Sequence, residues 1–479
     1  MAKTFFHGNR VIRLPGADDQ PAIEVTSGLT FVVGTAPVHT VGGAVNEVLR
    51  LSAFPEAQAA LGFRDYRDED GWGGYTLCEV MDNHFREYRV GPVLFVNVLD
   101  PARHRRTVAQ TDYPVTDRQV RLPFEAIADT IAVQGGQLGV DFGVFYDSDA
   151  CVLEVITGGI LAGASSVQVA YDAVDPGMVT KLDIIGGQDV ATGARSGFEL
   201  ISSCIPRHRT LPGTIICPKW SLDPDVAAVM DAKTVISGIL FASALVDLPA
   251  EAGTHYARVP GLKADAGSFT SGDMTPCWPK LRRRGKVYHY STHMAAVMAR
   301  TDAESDGIPS VSPSNKRLIA DAAVLDDGTE VLLELPEANY LNANGIVTAL
   351  NLTGWAVWGN YTGAYPDRKH PQYAFLSVNR MLKFLANRIV LGYWARVDER
   401  MTMRFLDSLA DEANIELNGL VRNDHLISGR VETLREDNPS EDLMAGIVRP
   451  RIKATPPSPV QEITWLLEYD MAAVMALFG

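Results

Sequence analysis

Apolar residues along the chain fall into three textures. Up to residue 99 they come as short unbroken runs, at 29–37 (LTFVVGTAP) and 93–99 (VLFVNVL), around a helix-like stretch at 73–85. An unbroken run closed by Gly or Pro marks a strand covered on both faces, and alternation with helices marks an α/β layer. The texture then changes. Between 100 and 183 short β-type segments at 150–156 and 166–171 are separated by turn signals such as Asp175-Pro176-Gly177, which predicts a small, barrel-like all-β insertion. The α/β texture resumes with strands at 213–218, 243–249 and 286–290 and a helix over 292–300, while Asp223 caps another helix.

Beyond 350 the pattern becomes α+β. Val378, Met381, Leu382, Leu385 and Ile389 fall on one helical face, and Met403, Leu406, Ala410, Ala413 and Leu417 on another. A proline-rich linker at 455–459 precedes a period-two segment, in which Ile463, Trp465, Leu467 and Tyr469 alternate with Glu462, Thr464, Leu466 and Glu468. That period predicts a half-buried strand. Such a strand either folds back on its own domain or pairs with a neighbouring copy. Residues 1–25, with the extended run Val11, Ile12, Arg13, Leu14, read as a second arm.

The layout expected is therefore an arm (1–25), an α/β core (26–99 and 184–349), an inserted all-β domain (100–183), an α+β domain (350–455), and a linker, strand and tail (456–479). At 479 residues the chain has room for several cores. A net charge of −15 argues against a nucleic-acid binder, since phosphate neutralisation needs a basic surface. The basic clusters at 103–106 and 282–286 then read as loops or subunit–subunit salt bridges. No run approaches the ~18 apolar residues of a membrane span. The first residues lack a secretory apolar core, so folding in a cytoplasm is expected.

Candidate chemistry is sparse. Cys78, Cys151, Cys204, Cys217 and Cys277 are scattered and form no C-x-x-C pair, so neither a disulfide framework nor a zinc site is expected. No phosphate-cradling, dinucleotide, zincin or nucleophile-elbow motif occurs. Asp247, Ser291 and His293 could meet in a hydrolase triad, but a triad is a matter of geometry and any long chain holds its residue types. Arg380 and Lys383 occupy the polar side of the first C-terminal helix. They read as a solvated face or, more sharply, as a charge-complementary contact with a partner protein. No enzyme, cofactor or metal is expected.

Four ordered stretches resemble contractile tail sheath proteins of myophages and phage-tail-like particles (tailocins). They are His7-Gly8-Asn9-Arg10-Val11 with the run at 31–37; residues 299–304 (ARTDAE) with Ser312-Pro313-Ser314-Asn315-Lys316; residues 341–346 (LNANGI); and residues 357–362 (VWGNYT). Tyr361 departs from the family pattern, which often has Arg there. The resemblance implies a subtilisin-like α/β core used as scaffold and an insertion like the protruding domain of some members. It implies six-fold rings of the chain in a helical stack around an inner tail tube protein, ended by baseplate and tail terminator proteins, without nucleic acid or membrane insertion. Neighbours' arms would add strands to a subunit's C-terminal sheet, through Val11, Ile12, Arg13, Leu14, Ile463, Trp465, Leu467 and Tyr469, with Arg380 and Lys383 as candidate tube contacts. Contraction would proceed by subunit rotation without nucleotide, in a virion tail or tailocin assembled in the host bacterial cytoplasm. The readings left beside it are an α/β hydrolase with a β accessory domain and a single-ring adaptor.

Overall fold

Residues 24–265 and 270–469 are described by a computed structural model. Six strands form its central sheet, in the order Met274–Cys277, Ser243–Asp247, Thr214–Ile216, Thr30–Gly34, Val93–Asn97, Val48–Leu51. All neighbours run parallel except the last pair. The unbroken apolar runs have a direct cause. Phe31, Val33, Leu94, Val96 and Ile215 enter one core, while Val32, Val93, Phe95 and Ile216 enter another on the opposite face. Each strand is buried on both sides, so neither face selects polar residues.

The helix Tyr290–Ala303 fills the second core and is buried along most of its length. Its first turn is capped from elsewhere in the chain. Asp247, at the end of its strand, accepts the Ser291 N–H at 2.8 Å and the Ser291 hydroxyl at 2.5 Å. Glu79 accepts the His289 N–H at 2.6 Å and the Thr292 hydroxyl at 2.9 Å. Two carboxylates from separate elements thus satisfy amides that a helix start leaves open. The helix expected over 73–85 forms as Thr76–Met81 and continues as wider π-helical turns over Asp82–Tyr88.

Between Arg105 and Val174 the chain builds two three-stranded antiparallel sheets rather than a closed barrel. Val120, Leu122, Cys151, Leu153, Val167, Val169 and Tyr171 form a core between them. Alternation in Gln119–Pro123 and over 166–173 marks sheets with one face wet.

The C-terminal part packs two helices, Leu376–Gly392 and Met403–Arg422, against a hairpin of Ser428–Glu432 and Arg451–Thr455. Met381, Phe384, Leu385, Ala413, Leu417, Leu420 and Val431 supply the core. Of the first predicted helical face, Val378, Met381 and Leu385 are buried while Leu382 and Ile389 are half-buried. In the second helix burial is confined to the later turns, and Met403 is exposed.

The basic cluster at 282–286, read as a loop or as subunit–subunit salt bridges, falls on a β-hairpin and its turn, and its charges are paired within the chain. Arg283 meets Glu87 and Asp321, Arg284 meets Glu87, and Lys286 meets Asp65 and Asp82, all at 2.5–3.2 Å. Arg103 and Arg105 likewise pair with Asp183 and Asp172. All five cysteines are free and buried, and burial pushes the Cys78, Cys151 and Cys204 thiols up to about 12. Among the described residues no helix is long and apolar enough to cross a membrane.

Candidate functional site

The period-two segment beyond the proline linker is extended, but it is not the half-buried strand its alternation predicts. Residues 460–469 join no ladder with any described residue, and every side chain there is exposed. Trp465 is 87% exposed and Leu467 99%, with Ile463 and Tyr469 close behind. An apolar row of this kind, open to water on both faces, costs solvation free energy until something covers it. The alternation is real, and among the described residues no surface buries it. The companion arm, Val11 to Leu14, lies outside the described residues.

The root of the C-terminal arm is held. Pro456 is buried, and Pro457 and Pro459 are half-buried. Gln461 is then gripped at both ends of its amide: the Tyr361 hydroxyl donates to its Oε1 at 2.8 Å, and its Nε2 donates to Asn360 Oδ1 at 3.0 Å. Tyr361 is itself stacked between Tyr365, with ring centroids 3.8 Å apart and planes 5° apart, and Phe375, at 5.2 Å and 11°. Tyrosine supplies both a flat stacking face and a polar tip here.

The start of the body is held as well. Ser27 donates its hydroxyl to Asp302 Oδ2 at 3.0 Å, and its carbonyl accepts from Arg380 at 3.2 Å. Beside it Gly28 packs so close to the buried helix that a Cβ would lie 2.9 Å from the Ala299 Cα. The short strand Glu24–Val25 pairs in parallel with Thr210–Leu211.

Arg380 and Lys383 are not on a solvated face, which corrects that reading and removes them as tube contacts. Arg380 is 3% exposed and forms a buried bidentate ion pair with Asp302. Lys383 Nζ donates to the Ala242 carbonyl at 2.7 Å and meets Asp273 at 2.8 Å. Both cations are spent inside the chain because their helix is packed on its polar side too, against the core.

The triad candidates do not form a relay. Ser291 bonds Asp247 directly, with no imidazole between, and both are buried. The His293 Nδ1 lies 3.0 Å from the Tyr88 hydroxyl, and burial lowers its pKa to about 3. A serine hydroxyl 0% exposed, committed to a carboxylate, has neither a base nor access to substrate.

No family model matches the chain. Along its whole length it is 25% identical to the tail sheath protein of Burkholderia phage BcepMu, with 100% of both chains covered. The chain is a homologue of phage tail sheath proteins. A 147-residue stretch, 30% of this sheath homologue, is 29% identical to the major tail sheath protein of Serratia phage KSP20, of which it covers 36%. The fold is shared with solved chains. One from the anti-feeding prophage baseplate matches with a TM-score of 0.58 at 13% identity, over 96% of this chain and 100% of that one. Another, from an extracellular contractile injection system sheath complex in the contracted state, matches at 0.57 and 12% identity, over 97% of this chain and 100% of that one. The prolines and the period-two pattern set residues 460–469 apart in the sequence, but the Tyr361 clasp, whose partners lie 100 residues apart, has no local signal.

Proposed function

We propose that this sheath homologue is the structural subunit of a contractile tail sheath and that it performs no catalysis. The observation that carries the reading is the end-to-end match to the BcepMu tail sheath protein. It is supported by the exposed apolar arm, which a solitary enzyme has no use for.

In this reading the chain stacks as six-fold rings around an inner tail tube protein, between baseplate and tail terminator proteins, in a virion tail or tailocin assembled in the host cytoplasm. The central sheet and its helices form the rigid, subtilisin-like core (26–99 and 184–349). The β insertion (100–183) protrudes, residues 350–455 carry the receiving sheet, and the arms (1–25 and 456–479) link copies. Donor and acceptor surfaces differ, so each contact is heterologous and repeats into a helical array. Subunits rotate as bodies while the arms keep them connected. Larger contacts in the contracted state favour it, and a linked lattice sums a small gain per subunit over many copies without nucleotide.

Negative-stain microscopy of the purified full chain tests this. Tubes or stacked rings are expected. A uniformly monomeric protein under all assembly conditions, or one that stops at single rings as an adaptor would, overturns it.

A further inference from the structure

At the end of the central sheet where Thr30–Gly34 and Val93–Asn97 begin, a cavity of about 190 Å³ opens beside the last turns of the helix Tyr290–Ala303. Val90 and Pro92 give it an apolar side. Ala299 and Ala303, one turn apart on the helix, leave the space open because neither side chain extends past its Cβ. A cavity of roughly 150 Å³ already takes a benzene-sized molecule, so the space suits a small molecule and not only a single water.

Two buried polar side chains that line it are left without partners. Thr30 alternates with Phe31 and so shares its face with Val32, in the layer that holds the helix. Its hydroxyl bonds nothing among the described residues. The same is true of both ring nitrogens of His84, in the wide turns Asp82–Tyr88. Burial keeps that ring neutral, outweighing the pull of the Val80 carbonyl, so it offers one N–H donor and one acceptor nitrogen. A buried polar group without a partner costs free energy, and each of these two lines a space with room for one.

A cation stands at the same cavity. Arg89 lines it, is exposed, and forms no ion pair among the described residues. It closes the helical turns at φ 56°, a left-handed position more often given to Gly or Asn. The carboxylate of Asp302, close to Gly28 on the cavity wall, is already taken by Arg380 and Ser27 and does not neutralise Arg89. A free guanidinium favours a carboxylate or a phosphate, which it binds through two parallel N–H donors.

We propose that this cavity binds a small organic anion, with its carboxylate or phosphate on Arg89 and a hydroxyl-bearing body against Thr30 and His84. An inorganic anion on Arg89 leaves the two buried groups unsatisfied, and a neutral body leaves the guanidinium unpaired. A molecule with both parts satisfies all three. The inference is independent of the sheath reading, since every wall of the cavity comes from one copy.

Calorimetric titration of the unassembled full chain tests it, with malate, glycerol phosphate, inorganic phosphate and glycerol as probes. At least one of the two organic anions is expected to bind with a Kd below about 1 mM, at least tenfold tighter than inorganic phosphate or glycerol, and to raise the melting temperature. Arg89→Gln, at an exposed position, should weaken that binding at least tenfold. Ala303→Phe, also at an exposed position, places a ring in the cavity and should abolish it. Thr30→Val keeps the shape, removes the hydroxyl and should weaken it severalfold. Circular dichroism of each ligand-free variant checks the fold, and Arg89→Gln alone decides if the other two fail to fold. Absence of binding by both organic anions overturns the proposal. So does binding that Arg89→Gln leaves unchanged, or inorganic phosphate that binds as tightly as either organic anion.

Discussion

Arg380 and Asp302 meet as a bidentate ion pair with both side chains almost wholly buried, and Arg380 NH1 stands 3.1 Å from Asp302 Oδ1. The pair joins three parts of the chain: the first C-terminal helix, the buried core helix, and Ser27. Burial raises the Asp302 carboxyl above the usual range, and Arg380 draws it back.

Breaking that pair from one side should cost far more than removing it whole. Arg380→Ala strands a buried carboxylate and is expected to destabilise the chain by about 3–5 kcal/mol. The double variant Arg380→Met with Asp302→Asn should recover a large part of this. Urea midpoints of the unassembled chain check it, and equal losses in both variants would contradict the account.

Acid should destabilise the fold from about pH 6.5 downward. Burial lowers the pKa of His39 to about 4, and of His84 and His293 to about 3. A folded-state pKa below the unfolded value means the unfolded chain binds more protons in that window, so stability is lost as pH falls through it. His39 packs against Phe124 and Tyr146 of the β insertion, and its share is on the order of 1–3 kcal/mol. His39→Gln should flatten the pH dependence of the unfolding midpoint between pH 6.5 and 4 by about one proton. Asp247 and Asp302, raised by burial, act in the opposite sense: their contribution is greatest when protonated and falls as pH rises.

Asp247 is a capping residue, and its loss should be felt as such. Asp247→Ala leaves the Ser291 N–H and hydroxyl without their acceptor, at an expected cost of about 2–4 kcal/mol. Thermal unfolding measures it. In the same preparation a serine-reactive fluorophosphonate should leave Ser291 unlabelled in the native chain, and stoichiometric labelling there would reopen the hydrolase reading.

Ending the chain after Pro459 should abolish tubes and spare the fold. Residues 460–469 are exposed and bury no core, so circular dichroism and the urea midpoint should match the full chain within about 0.5 kcal/mol. Tubes that persist at wild-type yield would show that the C-terminal arm is not the link.

The Tyr361 hydroxyl holds the arm root through one exposed hydrogen bond, typically about 0.5–1.5 kcal/mol. Tyr361→Phe keeps the stack and removes the bond. Spin labels at Leu352 and Leu466, both exposed, should report a broader distance distribution in that variant, with an unchanged melting temperature. An unaltered distribution would mean the clasp does not steer the arm.

Much of this protein is legible in the order of its residues because the relevant forces act locally. Phe31, Val32 and Val33 announce a doubly buried strand, since consecutive strand residues face opposite cores. Ile463, Trp465, Leu467 and Tyr469 alternate as a strand would, yet residues 460–469 join no ladder among the described residues and are exposed. Only the tertiary structure decided where polar groups end. Arg380 looks solvated on a helical wheel, and it is buried because Asp302, 78 residues away, supplies its counter-charge. Asn414 looks like any surface amide, and it bonds both main-chain groups of Val431 because the chain returns to it there. Periodicity records which way a side chain faces. What it faces depends on contacts distant in sequence.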